Sequence, residues 1–162
     1  YLSFLSVFAR DVLKIGPEGL GILMASSGFG AVVGSIYVAT RKQQPSGKQF
    51  IAAGIVYGFL IAAFAIAPNL LWAVPLLVLA GFLGSAYVSL VNSSIQHQIT
   101  DETRGRVMSI YMLTWGFTPI GAIVIGELAS RYGISETIAA AAILGNVLLA
   151  VQYLLSPAMR EL

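Results

Sequence analysis

A row of small, neutral polar side chains runs along one side of the long apolar segment 70–98. At about 100° per residue, these positions fall within an arc of roughly 80° on a helix. They are Gly81, Ser85, Ser89, Asn92 and Gln96. Hydroxyl and amide groups persist in hydrocarbon where they face protein or a wet cavity. The row therefore predicts either the wall of a cavity that binds a small molecule or a set of hydrogen bonds between helices, each worth about 0.6–2 kcal/mol.

A second polar and aromatic group lies in the next apolar segment, residues 104–130. Its members fall within about 100° of arc at helical spacing. They are Tyr111, Thr114, Trp115 and Thr118. A proline removes a backbone donor and clashes with the preceding turn, so we expect a kink over 118–121, with Pro119 and Gly121 as hinge residues. Beside a cavity, such a kink serves either as a gate or as a static bend.

Residue types that carry catalytic or metal chemistry are scarce. The chain has no Cys and one histidine, His97, and no Asp, Glu, Lys or Arg lies well inside an apolar segment. His97 precedes a charged loop, so it is either a solvated interfacial side chain or a proton relay. We expect no enzyme activity, no metal site and no cofactor. Carriers driven by protons or ions usually need a buried charge, so a coupling group is expected outside this chain.

The composition places these residues in lipid. The 162 residues are 57% hydrophobic and 10% charged, whereas soluble globular domains carry roughly 25% charged residues. Continuous apolar runs fit helices that cross a bilayer and do not fit the alternating strands of a barrel. The fold class is therefore predicted to be an all-α membrane protein, a polytopic helical bundle in the lipid bilayer. A net charge of +2 is too small to indicate a nucleic-acid partner.

Charged residues and the turn pair at 68–69 divide the chain, which is expected to be a single transmembrane domain over 1–162. A truncated helix, 1–9, is followed by spans at about 18–40, 49–67, 70–98, 104–130 and 135–156. Because more Lys and Arg fall on the side of the C-terminus, that side is predicted to be cytoplasmic. The first apolar run is too short to cross and lacks signal-peptide features, so we expect a fragment of a longer polypeptide.

Glycines four residues apart occur in two of the spans. Gly30 and Gly34 form one pair, and Gly54 and Gly58 form the other. Small residues let membrane helices approach closely, although glycine is frequent in membrane helices in any case. We assign Gly30 and Gly34 to gating or hinge motion. The span that holds Tyr57 is otherwise nearly all apolar, which is typical of a lipid-facing support helix.

Three stretches carry a resemblance to a known family. They are VFARDVLKIGPEGLGILMASSGFGAVVGS (7–35), DETRGRVMSIYML (101–113) and TPIGAIVIGELASRYGI (118–134). In this order they resemble the C-terminal half of a major facilitator superfamily transporter of the enterobactin-exporter-like drug and siderophore efflux group. The resemblance covers essentially the whole chain, and DETRGRVMS is its most distinctive piece. Two positions depart from the group: Thr100 stands where proline is frequent, and Ser130 where an acid is frequent.

The resemblance implies that the truncated helix ends helix seven of twelve and that the five spans are helices eight to twelve. It implies a secondary active efflux transporter that exports a small amphipathic molecule by alternating access, coupled to protons. The implied partners are that substrate and the missing N-terminal six-helix half, and the implied location is the bacterial inner membrane. The alternative is a non-transporting accessory or structural membrane subunit, in which the polar row binds a partner helix.

Overall fold

Helices make up nearly all of the described chain. The structure is a computed structural model that describes residues 1–41 and 47–155, without the side chains of 47, 48, 50, 94, 97, 98 and 101. After a 3-10 turn at Leu2–Phe4, the helices are α1 (Leu5–Asp11), α2 (Pro17–Thr40), α3 (Gly47–Ala65), α4 (Leu70–Gln98), α5 (Asp101–Gly116), α6 (Thr118–Tyr132) and α7 (Ile134–Leu155). These two ranges contain no strand, and the predicted all-α class is confirmed. The expected role of His97 falls on a side chain outside the described set.

The helix ends coincide with residues suited to starting or stopping a helix. Pro17 is the first residue of α2, where its missing N–H removes no helical hydrogen bond. Asn69 caps α4, because its Oδ1 accepts a hydrogen bond from the amide of Trp72 at 3.3 Å. Gly133 separates α6 from α7 with φ at +93°, a backbone conformation that side chains disfavour. Short turns therefore connect α3 to α4 and α6 to α7.

Several helices have the length and composition of membrane spans. Within the described residues, four helical stretches are long and apolar enough to cross a bilayer: Pro17–Thr40, Leu70–Ser93, Glu102–Tyr132 and Ile134–Leu155. The third of these stretches contains both α5 and α6. A shorter apolar helix covers Ile51–Ala65. Their outer faces carry large exposed apolar side chains, which suit contact with lipid tails rather than with water.

Helices α2 and α4 pack most extensively, and glycine makes their contact possible. A Cβ added to Gly30 would overlap the carbonyl oxygen of Val78, and one added to Gly34 would overlap that of Phe82. Residue numbers rise together along both helices, so α2 and α4 run parallel at backbone contact. This close packing fixes the polar row of α4 relative to α2.

Helices α3 and α7 pack antiparallel through the second glycine pair. A Cβ on Gly54 would lie 3.1 Å from Cδ1 of Leu149, and one on Gly58 would overlap the side-chain amide of Asn146. Nδ2 of Asn146 is buried with no hydrogen-bond partner in the described part of the chain. One face of α3 therefore packs against α7. The sequence had suggested a helix that faces lipid and had not indicated this contact.

The buried core of the described residues lies where α1 meets α2, α3, α4 and the start of α7. Its largest fully buried side chains are Leu5, Phe8, Leu23, Phe64 and Leu77. The rings of Phe8 and Phe64 pack with their centroids 4.5 Å apart. Helix α5 makes its main contact with α6 and is mostly exposed over its described residues. The bundle is thus closed at one end and open towards α5.

Candidate functional site

A groove of about 630 Å³ opens beside this core, between α2, α3, α4 and the junction of α5 with α6. Its polar and aromatic lining consists of Tyr1, Ser3, Ser27, Tyr57, Ser85, Ser89, Trp115 and Thr118. The small residues Ala31, Ala80, Gly81 and Gly84 leave space between these side chains. We call this feature the hydroxyl groove. It contains Ser85, Ser89, Trp115 and Thr118 from the residues predicted to line a cavity.

Helix α4 positions two serines of the groove through its contact with α2. A Cβ on Gly81, one turn before Ser85, would overlap the carbonyl oxygen of Ser27. The hydroxyls of Ser85 and Ser35 lie 2.7 Å apart and share a hydrogen bond between the two helices. Ser85 thus combines the two alternatives that the sequence leaves open, since it joins helices and also lines the groove. Ser89 lies one turn further along the same wall.

Two tyrosines and a serine that were not predicted from the sequence also line the groove. The hydroxyl of Tyr1 lies 2.8 Å from Oγ of Ser27, and its ring meets that of Tyr57 edge to face with centroids 6.5 Å apart. A Cβ on Gly84 would lie 3.2 Å from the Tyr57 ring, so glycine makes room for this aromatic. Tyr57 was detectable as the single tyrosine of an apolar span, whereas no spacing rule marked the other two.

The break between α5 and α6 brings an aromatic ring and a hydroxyl into the groove. Helix α5 ends at Gly116 and α6 begins at Thr118, immediately before Pro119. The carbonyl of Phe117 between them accepts the amides of Ile120 at 3.1 Å and Gly121 at 3.2 Å. The expected kink over 118–121 therefore has its structural counterpart in a helix interruption at Phe117.

The other predicted site residues lie outside the groove lining. Asn92 is partly exposed and Gln96 is exposed, both further along α4. Tyr111 and Thr114 lie on α5, where Oγ1 of Thr114 donates to the carbonyl of Tyr111 at 2.6 Å. A Cβ on Gly121 would meet nothing within 4 Å. Substrate contact by the first four and hinge motion at Gly121 remain predictions.

The groove lining is neutral. The ion pair between Arg131 and Glu127, 2.6 Å long, lies on the exposed surface of α6. Among the described residues, no group of three or more His, Cys, Asp or Glu side chains could hold a metal ion. Hydroxyls and aromatic rings without charge can hydrogen-bond and stack, so the groove is suited to binding a molecule with polar and apolar parts.

Comparison with known proteins identifies the family to which the chain belongs. Residues 1–161 match the family model described as transmembrane secretion effector. The chain belongs to the major facilitator superfamily. The superfamily that the three sequence stretches suggested is therefore confirmed.

Two curated relatives are similar to this major facilitator chain. An uncharacterized MFS-type transporter, YvqJ of Bacillus subtilis (strain 168), is 30% identical over 139 residues, which cover 83% of this chain and 32% of the relative. The multidrug efflux pump Tap of Mycolicibacterium fortuitum is 27% identical over 148 residues, covering 90% of this chain and 36% of the relative. The chain thus spans about a third of the length of these relatives. No solved structure matches it significantly.

Membership in the major facilitator superfamily carries two consequences. The protein is an integral membrane protein, in agreement with its apolar helices. It belongs with transporters and not with enzymes, as the residue types predicted.

Proposed function

We propose that this chain forms most of the C-terminal half of a secondary exporter in the enterobactin-exporter-like efflux group. The full-length protein would move a small amphipathic molecule outward by alternating access, with proton coupling. The hydroxyl groove is the observation that carries this proposal, because it offers neutral donors, acceptors and aromatic faces at one place. The similarity to a multidrug efflux pump supports the direction of transport.

Each part of the groove has a proposed role. The hydroxyls of Ser89 and Thr118 hydrogen-bond the polar part of the substrate, and the rings of Trp115 and Tyr57 cover its apolar part. Because the lining is uncharged, the proton-coupling group is assigned to the rest of the full-length polypeptide. The N-terminal six-helix half would supply the facing wall.

The moving parts are proposed from the two helix features that border the groove. The backbone contact at Gly30 and Gly34 would make α2 and α4 move as one unit. The interruption at Phe117, next to Pro119, would let α5 tilt against α6. Together these features allow the groove to face one side of the membrane and then the other.

Replacing Ser89 with Leu in the full-length protein tests the groove assignment. Leu removes a hydroxyl and fills part of the space, so we expect export of the dye ethidium from cells to fall about fivefold to tenfold, equivalent to one hydrogen bond. Ser109→Leu is the matched control, because its Oγ bonds the Gly105 carbonyl at 2.8 Å on α5, outside the groove. Immunoblots of membranes verify equal protein amounts.

The same assay separates the competing assignments. Asn92→Leu and Gln96→Leu test whether the substrate path extends along α4 beyond the groove. Unchanged export in Ser89→Leu and Trp115→Ala, at equal membrane levels, would contradict the groove as substrate site. A full-length protein that exports no dye at all would favour the accessory-subunit alternative.

The proposed location is the bacterial inner membrane with the C-terminus in the cytoplasm. The excess of Lys and Arg on that side supports this orientation. Alkaline phosphatase fused after Leu162 should be inactive, and a fluorescent protein at the same place should fluoresce. The reverse pattern would invert the topology.

A further inference from the structure

A second cavity lies between α6 and α7, apart from the hydroxyl groove. Its volume is about 500 Å³, and its walls are almost entirely apolar. Val124, Leu128 and Tyr132 line it from α6, and Glu136, Ala140 and Leu144 line it from α7. We call this cavity the α6–α7 crevice. Nothing in the proposed transport path uses it.

The crevice is elongated along both helices. Its lining residues recur every four positions on each helix, which places them on one face of α6 and one face of α7. From Val124 to Tyr132 the helix rises about 12 Å. The crevice therefore follows the direction in which the helices cross the membrane, and its length suits the upper part of a lipid acyl chain.

One end of the crevice carries a carboxylate. Glu136 lies in the first turn of α7, next to the turn at Gly133, and is exposed. The hydroxyl of Thr137 donates to the carbonyl of Gly133 at 2.7 Å and so is already satisfied. The guanidinium of Arg131 is bound to Glu127. Glu136 supplies the charge among the residues that line the crevice. Its carboxylate can accept hydrogen bonds from a cationic lipid head group.

We propose that the α6–α7 crevice binds a phospholipid with a primary ammonium head group, such as phosphatidylethanolamine, from the leaflet that surrounds the α6–α7 turn. The acyl chain lies between the helices, and the ammonium donates hydrogen bonds to the Glu136 carboxylate. The phospholipid matches the crevice in polarity and direction. The acyl chain and the crevice walls are apolar, and the ammonium group and Glu136 are charged at the end nearest water. Carboxylate repulsion disfavours an acidic head group, and a quaternary ammonium has no N–H to donate.

Native mass spectrometry of the purified full-length protein tests this inference. Detergent-solubilised protein is mixed with phosphatidylethanolamine, phosphatidylcholine or phosphatidylglycerol, and retained lipid is counted. We expect preferential retention of phosphatidylethanolamine, falling about tenfold in apparent affinity in Glu136→Gln. Glu18→Gln is the matched control, because Glu18 lies in the first turn of α2 and outside the crevice. Ala140→Phe fills the crevice and should lower retention of the same lipid.

Each other result would overturn the inference. Equal retention in Glu136→Gln and the unmodified protein would remove the role of the carboxylate. Equal loss of all three lipids in Ala140→Phe would leave an unselective acyl-chain contact. Displacement of the lipid by ethidium only when Glu136 is present would assign the crevice to a dissolved organic cation. The inference does not rest on transport, since lipid retention is measured whether or not the protein exports a substrate.

Discussion

Replacing Gly34 with Ala should destabilise the protein by about 1–3 kcal/mol, the usual range for forcing a methyl group into a packed interior. The added Cβ would overlap the carbonyl oxygen of Phe82, which belongs to the backbone of α4 and cannot rotate away. The two helices must therefore separate. Gly30→Ala should act in the same way through Val78, and the double variant should be less stable than either single variant.

Gly28 supplies a control for this prediction on the same helix. A Cβ there would meet nothing within 4 Å, so Gly28→Ala should be neutral or stabilising by up to about 1 kcal/mol through helix propensity. Thermal unfolding of the detergent-purified full-length protein measures all four variants. If Gly28→Ala and Gly34→Ala unfold at the same temperature, the backbone contact between α2 and α4 is not a source of stability.

Replacing Pro119 with Ala should join α5 and α6 into one continuous helix and lower export. Proline in a helix interior costs about 3 kcal/mol relative to alanine, but near the start of a helix it is well tolerated. The substitution therefore shifts the balance between broken and continuous forms by a little over a hundredfold towards the continuous form. The carbonyl of Trp115, which now accepts the amide of Phe117, would gain a regular helical donor at position 119.

Spin labels on cysteines at Ser109 and Ile123 measure this change in the full-length protein. In a continuous helix these two positions are separated along the axis by about 21 Å. In Pro119→Ala the distribution of distances between the two labels should therefore narrow around the value for a straight helix. Pro75→Ala is the control, because α4 continues through Pro75 without a break. Unaltered distances together with unaltered export would show that Pro119 does not maintain the interruption.

The fold class could be predicted from the sequence because the high apolar content and the few charges indicate that lipid surrounds the helices. Long apolar runs with charges between them leave few alternatives to a helical bundle in lipid. The glycine pairs also indicated close packing, which the structure shows at Gly34 and at Gly58. The helix that each glycine pair contacts could not be predicted from the sequence. A helix face made of small residues can pack against any other helix face of suitable shape.

The groove was harder to predict because its two sides come from distant parts of the chain. Helical spacing placed Ser85 and Ser89 on one face of α4. It did not indicate how far along that face the groove extends. Asn92 and Gln96 share the face and lie beyond the groove lining. Tyr1 meets Ser27 and Tyr57 only through tertiary packing, and no local pattern encodes such a contact.

The contact between Gly58 and Asn146 also sets an order of events during synthesis. These residues are separated by about 90 positions, and a ribosome adds roughly 5–20 residues per second. After α3 enters the membrane, its glycine face therefore waits roughly 5–18 s for α7 to be made. During this interval lipid or the membrane insertion machinery must cover that face, which leaves α3 open to premature pairing in the newly made chain.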